Sequence, residues 1–536
     1  MKKRNVKLIS LILIMISTTY ILIYTAFIRK FPSRIQKSIA IKIETPQLSK
    51  VYTWLPNGIA ICTENNNQWY SQICSDGAGG AIITWEDERS GLNGDIYAQK
   101  VNSSGDIQWV DSGVAICTAN NTQGSPQICN DKNGDAIITW NDKRNGLNYD
   151  IYAQKINSNG TLIWEANGTQ ICTANETQVV PQICSDGTDG AIITWTDYRN
   201  EKNYDIYAQK VNSTGDVVWN ANGTEICIEG GDQIFPKICS DGAGGAIITW
   251  EDSRGIYAQR INSTGDVVWV DGGVAICTEN NTQWQPQICS DGIGGAIITW
   301  TDYRSGTNFD IYVQWINSTG HVQWNANGTA ICTADNDQET PQICSLRTGN
   351  AIITWKDSRG TDADIYAQKI NSNGYVQWSI DGVVVCAADK DQKAPQICND
   401  GSEGAILTWE DSRDTWGDIY SQRLNSTGEI QGVTDGVVVC KVALAQHQPQ
   451  ICSDEEGGAI ITWFDKRNAV NYDVYAQWIK IEPILKGDGE ENNGDKGDKD
   501  KAFPFELIII ISSIIGSIAI ASIVTVFILK KRRKIE

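Results

Sequence analysis

Histidine is nearly missing from this chain: there are two among 536 residues, His321 and His447. That is too few for zinc sites of the Cys/His kind. Clustered lysine and arginine are missing from the repeated part of the chain, and the net charge is −20. A phosphate backbone is held by basic clusters, so nucleic acid is excluded as a partner. Helical periodicity is absent from residues 51–482. No G-x-S-x-G, H-E-x-x-H or Gly-rich phosphate loop occurs, which removes the common signatures of acyl transfer, metalloproteolysis and nucleotide binding. No cofactor is identified; the acidic surface leaves room for a divalent cation.

What is present is a repeat. An I-I/L-T-W run ends at Trp85, Trp140, Trp195, Trp250, Trp300, Trp355, Trp409 and Trp463, in steps of 55, 55, 55, 50, 55, 54 and 54 residues. A period near 54 means a repeat architecture. In one unit, Pro126–Asp131 reads as a short extended run and Ala136–Trp140 as a β-branched, aromatic strand. Asp150–Ile156 reads as a third strand. A Gly-containing turn follows, and a fourth strand begins at Leu162–Trp164 and continues to Ile171-Cys172. Four antiparallel strands per unit make a propeller blade, so the expectation is an all-β, eight-bladed β-propeller. The A-I-I-T-W strand is apolar on both faces, as suits a sheet packed between two neighbours. The chain enters on an orphan fourth strand, Trp54–Cys62, and leaves on an orphan third strand, Asp473–Ile479. One blade shared by the two ends closes the ring and removes the open edge.

The turn before the fourth strand reads N-S-S-G-D-I-Q-W over Asn102–Trp109 and N-S-T-G-D-V-V-W over Asn212–Trp219 and Asn262–Trp269. By its place in the blade it resembles the Asp-box turn, S-x-D-x-G-x-x-W, of sialidase-type propellers. It departs from that box in lacking its aspartate and in spacing Gly and Trp by four. It also looks like the T-G-x-x-x-W docking motif of quinoprotein-like eight-bladed propellers. Both likenesses imply the fold; the sialidase likeness also implies, as an alternative function, a glycan-active hydrolase. Such enzymes use an arginine cluster, a Tyr–Glu pair and an acid drawn unequally from different blades, and no such set stands out among these near-equivalent units.

Sixteen cysteines fall in eight pairs spaced by twelve: Cys62/Cys74, Cys117/Cys129, Cys172/Cys184, Cys227/Cys239, Cys277/Cys289, Cys332/Cys344, Cys386/Cys398 and Cys440/Cys452. In an exported chain this pattern predicts a disulfide framework. The flanks predict export. Residues 1–30 read as a signal peptide or signal anchor, 31–50 as a lead-in, 51–482 as the propeller and 483–503 as an acidic stalk. Residues 504–530 then read as a transmembrane helix and 531–536 as a basic cytoplasmic tail. The propeller is thereby expected outside the cell membrane. Sequons at Asn102, Asn120, Asn159, Asn167, Asn175, Asn212, Asn222, Asn262, Asn280, Asn317, Asn327 and Asn425 predict a glycoprotein.

Every unit carries W-x-D-x-R: Asp87/Arg89, Asp142/Arg144, Asp197/Arg199, Asp252/Arg254, Asp302/Arg304, Asp357/Arg359, Asp411/Arg413 and Asp465/Arg467. Residues two apart on a strand share a face, so the set forms either a charged rim or a repeated structural ion pair. Equal recurrence favours the structural pair. Trp69 and Trp284, placed in the loop before the first strand, and Trp416, in the second-to-third-strand loop, break the repetition. Such aromatics stack on sugars or anchor a protein. The expected function is a membrane-anchored surface module binding a glycan or protein, with a structural envelope role as the further alternative.

Overall fold

Seven of the eight repeats fold as one antiparallel four-stranded sheet with strand order equal to chain order, and the eighth is completed from the start of the chain. The computed structural model describes residues 50–482, apart from 92, 132, 347, 348 and 415. The expected leader, most of the lead-in, the stalk, the transmembrane helix and the tail lie outside the described residues. In blade one the strands are Gln68–Ser75, Ala81–Asp87, Asp95–Val101 and Val114–Cys117. The first strand of each blade lies beside the first strand of the next, and blade eight meets blade one. The eight sheets therefore surround a central channel lined by first strands.

Closure is strand sharing. Blade eight takes Gln446–Ser453, Ala459–Asp465 and Asp473–Glu482 from the end of the chain. Ile59–Cys62 from its start pairs with the last of these, Ile59 opposite Ala476 and Cys62 opposite Val474. Lys50–Thr53 adds a further pairing, Lys50 opposite Glu482.

The cores lie between sheets. Ile137, Ile151 and Ala153 of blade two, for instance, pack against Ala191, Ile193 and Trp195 of blade three. That is why the second strand is apolar on both faces, with all seven residues Ala191–Asp197 buried.

The fourth strand is shorter than its sequence suggests. It is Thr169–Cys172, whereas Leu162 makes only an isolated bridge to Ile156. A side chain displaces the ladder there. Buried Gln154 accepts from the Trp164 N–H at 3.0 Å and donates to the Glu165 carbonyl at 2.7 Å. Trp164 thus leaves the sheet edge and lies on Gly215 of the next blade's turn, where an added Cβ would sit 2.7 Å from the indole. Its Nε1–H donates to the Ser213 carbonyl at 3.0 Å. Blade seven has Gly432 where the tryptophan would stand. Its docking partner is the missing turn of blade eight, the blade left open for the N-terminal strand.

The W-x-D-x-R residues form one buried node per blade. In blade two, Trp140 Nε1–H donates to Asp142 Oδ2 at 2.7 Å, and Arg144 grips both carboxylate oxygens at 2.9 and 2.6 Å. The guanidinium lies 3.6 Å over the Tyr152 ring and donates to the Asn167 carbonyl at 2.7 Å. Cys117 from blade one completes the node, its thiol 3.8 Å from Asp142 Oδ2 and 3.3 Å from the Arg144 Nη2. Across all eight blades the Arg–Asp contact is 2.5–2.7 Å and the aspartate side chain is 0 % exposed.

The expected disulfides are corrected: all sixteen cysteines are free. A spacing of twelve joins the fourth strand of one blade to the first strand of the next, as Cys62 and Cys74 show. Strands lie about 4.8 Å apart, so the outer strand of one blade stands roughly 14 Å farther from the channel than the inner strand of the next, against a bridge limit near 7 Å. Cys62, Cys117, Cys172, Cys227, Cys277, Cys332, Cys386 and Cys440 sit beside the nodes instead. Burial pushes these thiols up, Cys62 to about 12, so they stay uncharged. Cys74, Cys129, Cys184, Cys239, Cys289, Cys344, Cys398 and Cys452 lie on the channel strands.

Removing one partner from such a node strands the others in a dry site. Asp142→Ala is expected to destabilise the propeller by about 3–5 kcal/mol in denaturant unfolding. A loss below about 1 kcal/mol, the range of exposed pairs, would show that the node is not a joint.

Candidate functional site

The eight copies are most alike in the second strand, the third strand and the turns after them. They differ where first strands begin and second strands end, which is one face of the ring around the channel mouth. Immediately after an invariant glutamine stand Trp69, Gly124, Val179, Ile234, Trp284, Glu339, Lys393 and His447. Opposite them on the second strand are Glu86, Asn141, Thr196, Glu251, Thr301, Lys356, Glu410 and Phe464.

A bulge in the first strand aims the next residue at the mouth. Register shifts between Trp69 and Gln72, and at the matching place in every blade. The bulged residue is left-handed each time, from Tyr70 at φ 47° to Val180 at φ 56°, with Thr340 at 51°. β-branched residues seldom adopt this conformation, so the frame imposes it. Proline follows in seven blades, and Ser71 in blade one. Proline is tolerated because the first strand is a sheet edge facing the channel.

Trp69 and Trp284 are second residues of first strands, not loop residues as their sequence context suggests. At the seam of blades eight and one, the Trp69 ring lies 4.9 Å from Tyr472 and 5.9 Å from Phe464. His447 lies 6.0 and 6.1 Å from Phe464 and Tyr472. Tyr70 beside them is 50 % exposed. Trp284 instead stacks on Phe309 at 5.0 Å, and its indole N–H is enclosed without a partner. Trp284 is thus a packing residue, whereas Trp69 belongs to a half-open aromatic shelf. Trp416 stands in its loop, 52 % exposed.

Charge is unevenly spread at the mouth. Glu410 receives Lys393 at 3.0 Å and His447 Nδ1 at 2.9 Å. Burial would raise Glu410, but these two partners hold it below the ordinary glutamate range. Lys356 pairs with Glu339 at 3.0 Å. A cleft of 280 Å³ beside them is lined by Lys356, Asp362, Asp391 and Lys393. Among the described residues Glu86 has no cation: burial pushes it to about 7, and it accepts from the Ser125 N–H at 3.3 Å. Burial raises Glu251 likewise, with the Gln285 N–H at 2.7 Å. Among the described residues, no group of three or more His, Cys, Asp or Glu is arranged to hold a metal.

The eight W-x-D-x-R arginines are absent from the mouth because each is engaged in its node. The shelf at Trp69, Tyr472, Phe464 and His447, and the paired Glu410, are not legible as a group in the sequence. The signal that finds them is their column in the eight aligned copies.

No family model matches this chain, and no curated protein matches it. Among solved structures, a Dyadobacter fermentans protein of unknown function is 8 % identical, covering 81 % of this chain and 99 % of its own, with a TM-score of 0.40. A puromycin hydrolase mutant is 10 % identical over 76 % of this chain and 62 % of its own, at 0.41. The GH93 alpha-L-arabinofuranosidase of Fusarium graminearum is 13 % identical over 56 % and 93 %, at 0.31.

On this same face, aspartates open seven of the third strands. Burial above all, with nearby carboxylates, raises Asp150, Asp205, Asp310, Asp364 and Asp473 to about 6 and Asp418 to about 7. The folded state therefore binds more protons than the unfolded chain between pH ~4 and ~6. Stability rises as pH falls through that window. Asp131 and Asp186, whose values are lowered, withdraw their contribution only below it. The midpoint of thermal unfolding is expected to be higher at pH 5 than at pH 8; the reverse order would contradict the burial of these carboxylates.

Proposed function

We propose that this protein is a membrane-anchored, cell-surface propeller whose channel-mouth face binds a glycan or a protein partner. One observation carries the reading: near-identical blades diverge at the mouth, and there they place a half-open aromatic shelf beside uneven charge. Aromatic faces stack on sugar rings and anchor protein side chains, while hydrogen-bonding neighbours set orientation. A sialidase-type hydrolase is the weaker reading, since the repeated arginines are spent on structural aspartates. The sialidase likeness then concerns blade construction: Asn102 Oδ1 accepts from the Ser104 and Asp106 N–H groups, closing the turn that the box aspartate closes elsewhere.

The anchor and the outside location rest on the apolar and basic flanks and on the sequons; the free thiols lend them no support. If the propeller is exported, the structure sorts the twelve sequons. Asn120, Asn159, Asn175 and Asn280 are exposed, and among the described residues their side-chain amides make no hydrogen bond. Asn102, Asn212, Asn262, Asn317 and Asn425 close their own turns. Asn167, Asn222 and Asn327 accept from Thr118, Thr173 and Thr278 of the preceding blade. Peptide mapping of protein from a glycosylating host should find glycans on the first four; occupancy confined to the other eight would overturn the sorting.

A glycan and peptide array with fragment 31–485 tests the function. Binding is expected, and Trp69→Ala with Tyr472→Ala should weaken it about tenfold, as loss of a stacked ring worth about 1.4 kcal/mol does. Tyr375→Ala, an exposed tyrosine in a third-to-fourth-strand turn on the opposite face, should leave it unchanged. No binding to any sugar or peptide would sink the proposal.

A further inference from the structure

The channel breaks its own symmetry once. In the middle of each first strand, opposite the threonine of the I-T-W run, one residue stands at a common level: Gln182 opposite Thr194, Lys237 opposite Thr249, Gln287 opposite Thr299. Seven blades have glutamine there, and blade four has lysine. Lys237 is half-buried, and it has no ion pair and no hydrogen bond among the described residues. The lysines of the third strands, by contrast, find a carboxylate or carbonyl, as Lys155 does with Asp131 at 2.8 Å. Lys237 faces an amide-lined channel instead.

We infer that the central channel contains an oxyanion site centred on Lys237, with the carboxamides of Gln182 and Gln287 as its flanking donors. A half-buried ammonium without a counter-charge has lost part of its hydration, and a bound anion offsets that loss. Lysine acts as a point charge that accepts any oxyanion geometry, and each flanking carboxamide brings N–H donors, one of those of Gln182 being taken by the Pro181 carbonyl at 2.9 Å. The titratable neighbours leave the charge uncompensated. On the same three channel strands, burial holds the thiols of Cys184, Cys239 and Cys289 well above the ordinary range, hence neutral. Burial alone lowers Lys237, and no carboxylate opposes it. The ligand class is a phosphate or carboxylate, as a free ion or as the acidic group of a sugar. The site lies deeper in the channel than the aromatic shelf and does not depend on it.

The test is titration of the full-length chain in detergent with inorganic phosphate and, separately, glucuronate. Calorimetry follows binding, and NMR of labelled lysine Nζ follows Lys237. One site per chain is expected, with the Lys237 pKa rising on binding. Phosphate binding marks a free-ion site; binding of glucuronate alone marks an acidic-sugar site. Lys237→Gln installs the residue of the other seven blades, so the fold is retained, and it should weaken binding at least about tenfold. Lys237→Arg should keep it. Failure of both anions to bind, or equal binding by Lys237→Gln, overturns the inference. Neither outcome bears on the shelf, which the Trp69 variant tests.

Discussion

A buried carboxylate is the constraint on which this ring depends. The aspartate side chain of each W-x-D-x-R run is closed off from water, and in seven of the eight blades three groups meet it, an indole N–H, a guanidinium and a thiol from the neighbouring blade; in blade four the Cys227 thiol donates to the Gly272 carbonyl instead. An enclosed charge is unstable unless every lone pair is met, so the partners come as a set. Because one partner belongs to the previous blade, satisfying the charge also fixes how adjacent sheets meet. The cysteine is there because it is small, apolar enough for the core and able to lie against both ions. A blade could not lose any one of these residues without exposing the need for the others.

That division of labour explains what the sequence disclosed. The all-β class, the eight blades and the seam were legible because a repeat writes its architecture eight times, and because the chain ends held complementary halves of one blade. The third strand, Asp150–Ile156, is visible to the residue. The fourth was not, since Gln154 replaces ladder hydrogen bonds with side-chain ones and hydrophobic patterning carries no trace of that. The cysteines misled for a related reason. Constant spacing looks like a covalent pair, but in a repeat any two fixed positions keep constant spacing, whether or not they meet. Here they sit in different sheets, one on the outer strand of a blade and the other on the inner strand of the next.

The candidate site shows the complementary limit. Trp69, Trp284 and Trp416 stand out as departures from repetition, yet they have three different fates: an aromatic shelf, a half-buried stack on one ring and an exposed loop position. Which fate applies depends on the aromatic residues supplied by the loops, Tyr472 and Phe309 among them, distant in sequence or in a neighbouring blade. The strained bulge is a property of the frame, present with any side chain from Ala394 to Phe235. Frame and mouth are thus separable: one set of residues holds the backbone in an unfavourable conformation, and another uses the direction in which it points.

The shared blade also orders the birth of the molecule. Ile59–Cys62 emerges first during synthesis but has no sheet to join until Asp473–Glu482 has followed it. Seven sheets can form in sequence while the first strand waits, its ladder groups open to solvent. The closing contact spans nearly the whole propeller, as the Trp54 N–H bonded to Gln477 shows. Loop-closure entropy grows only slowly with length, so the delay costs little in equilibrium stability and a great deal in time. The tryptophan missing from blade seven marks the same event in the finished structure, as a doorway kept clear for a strand made long before.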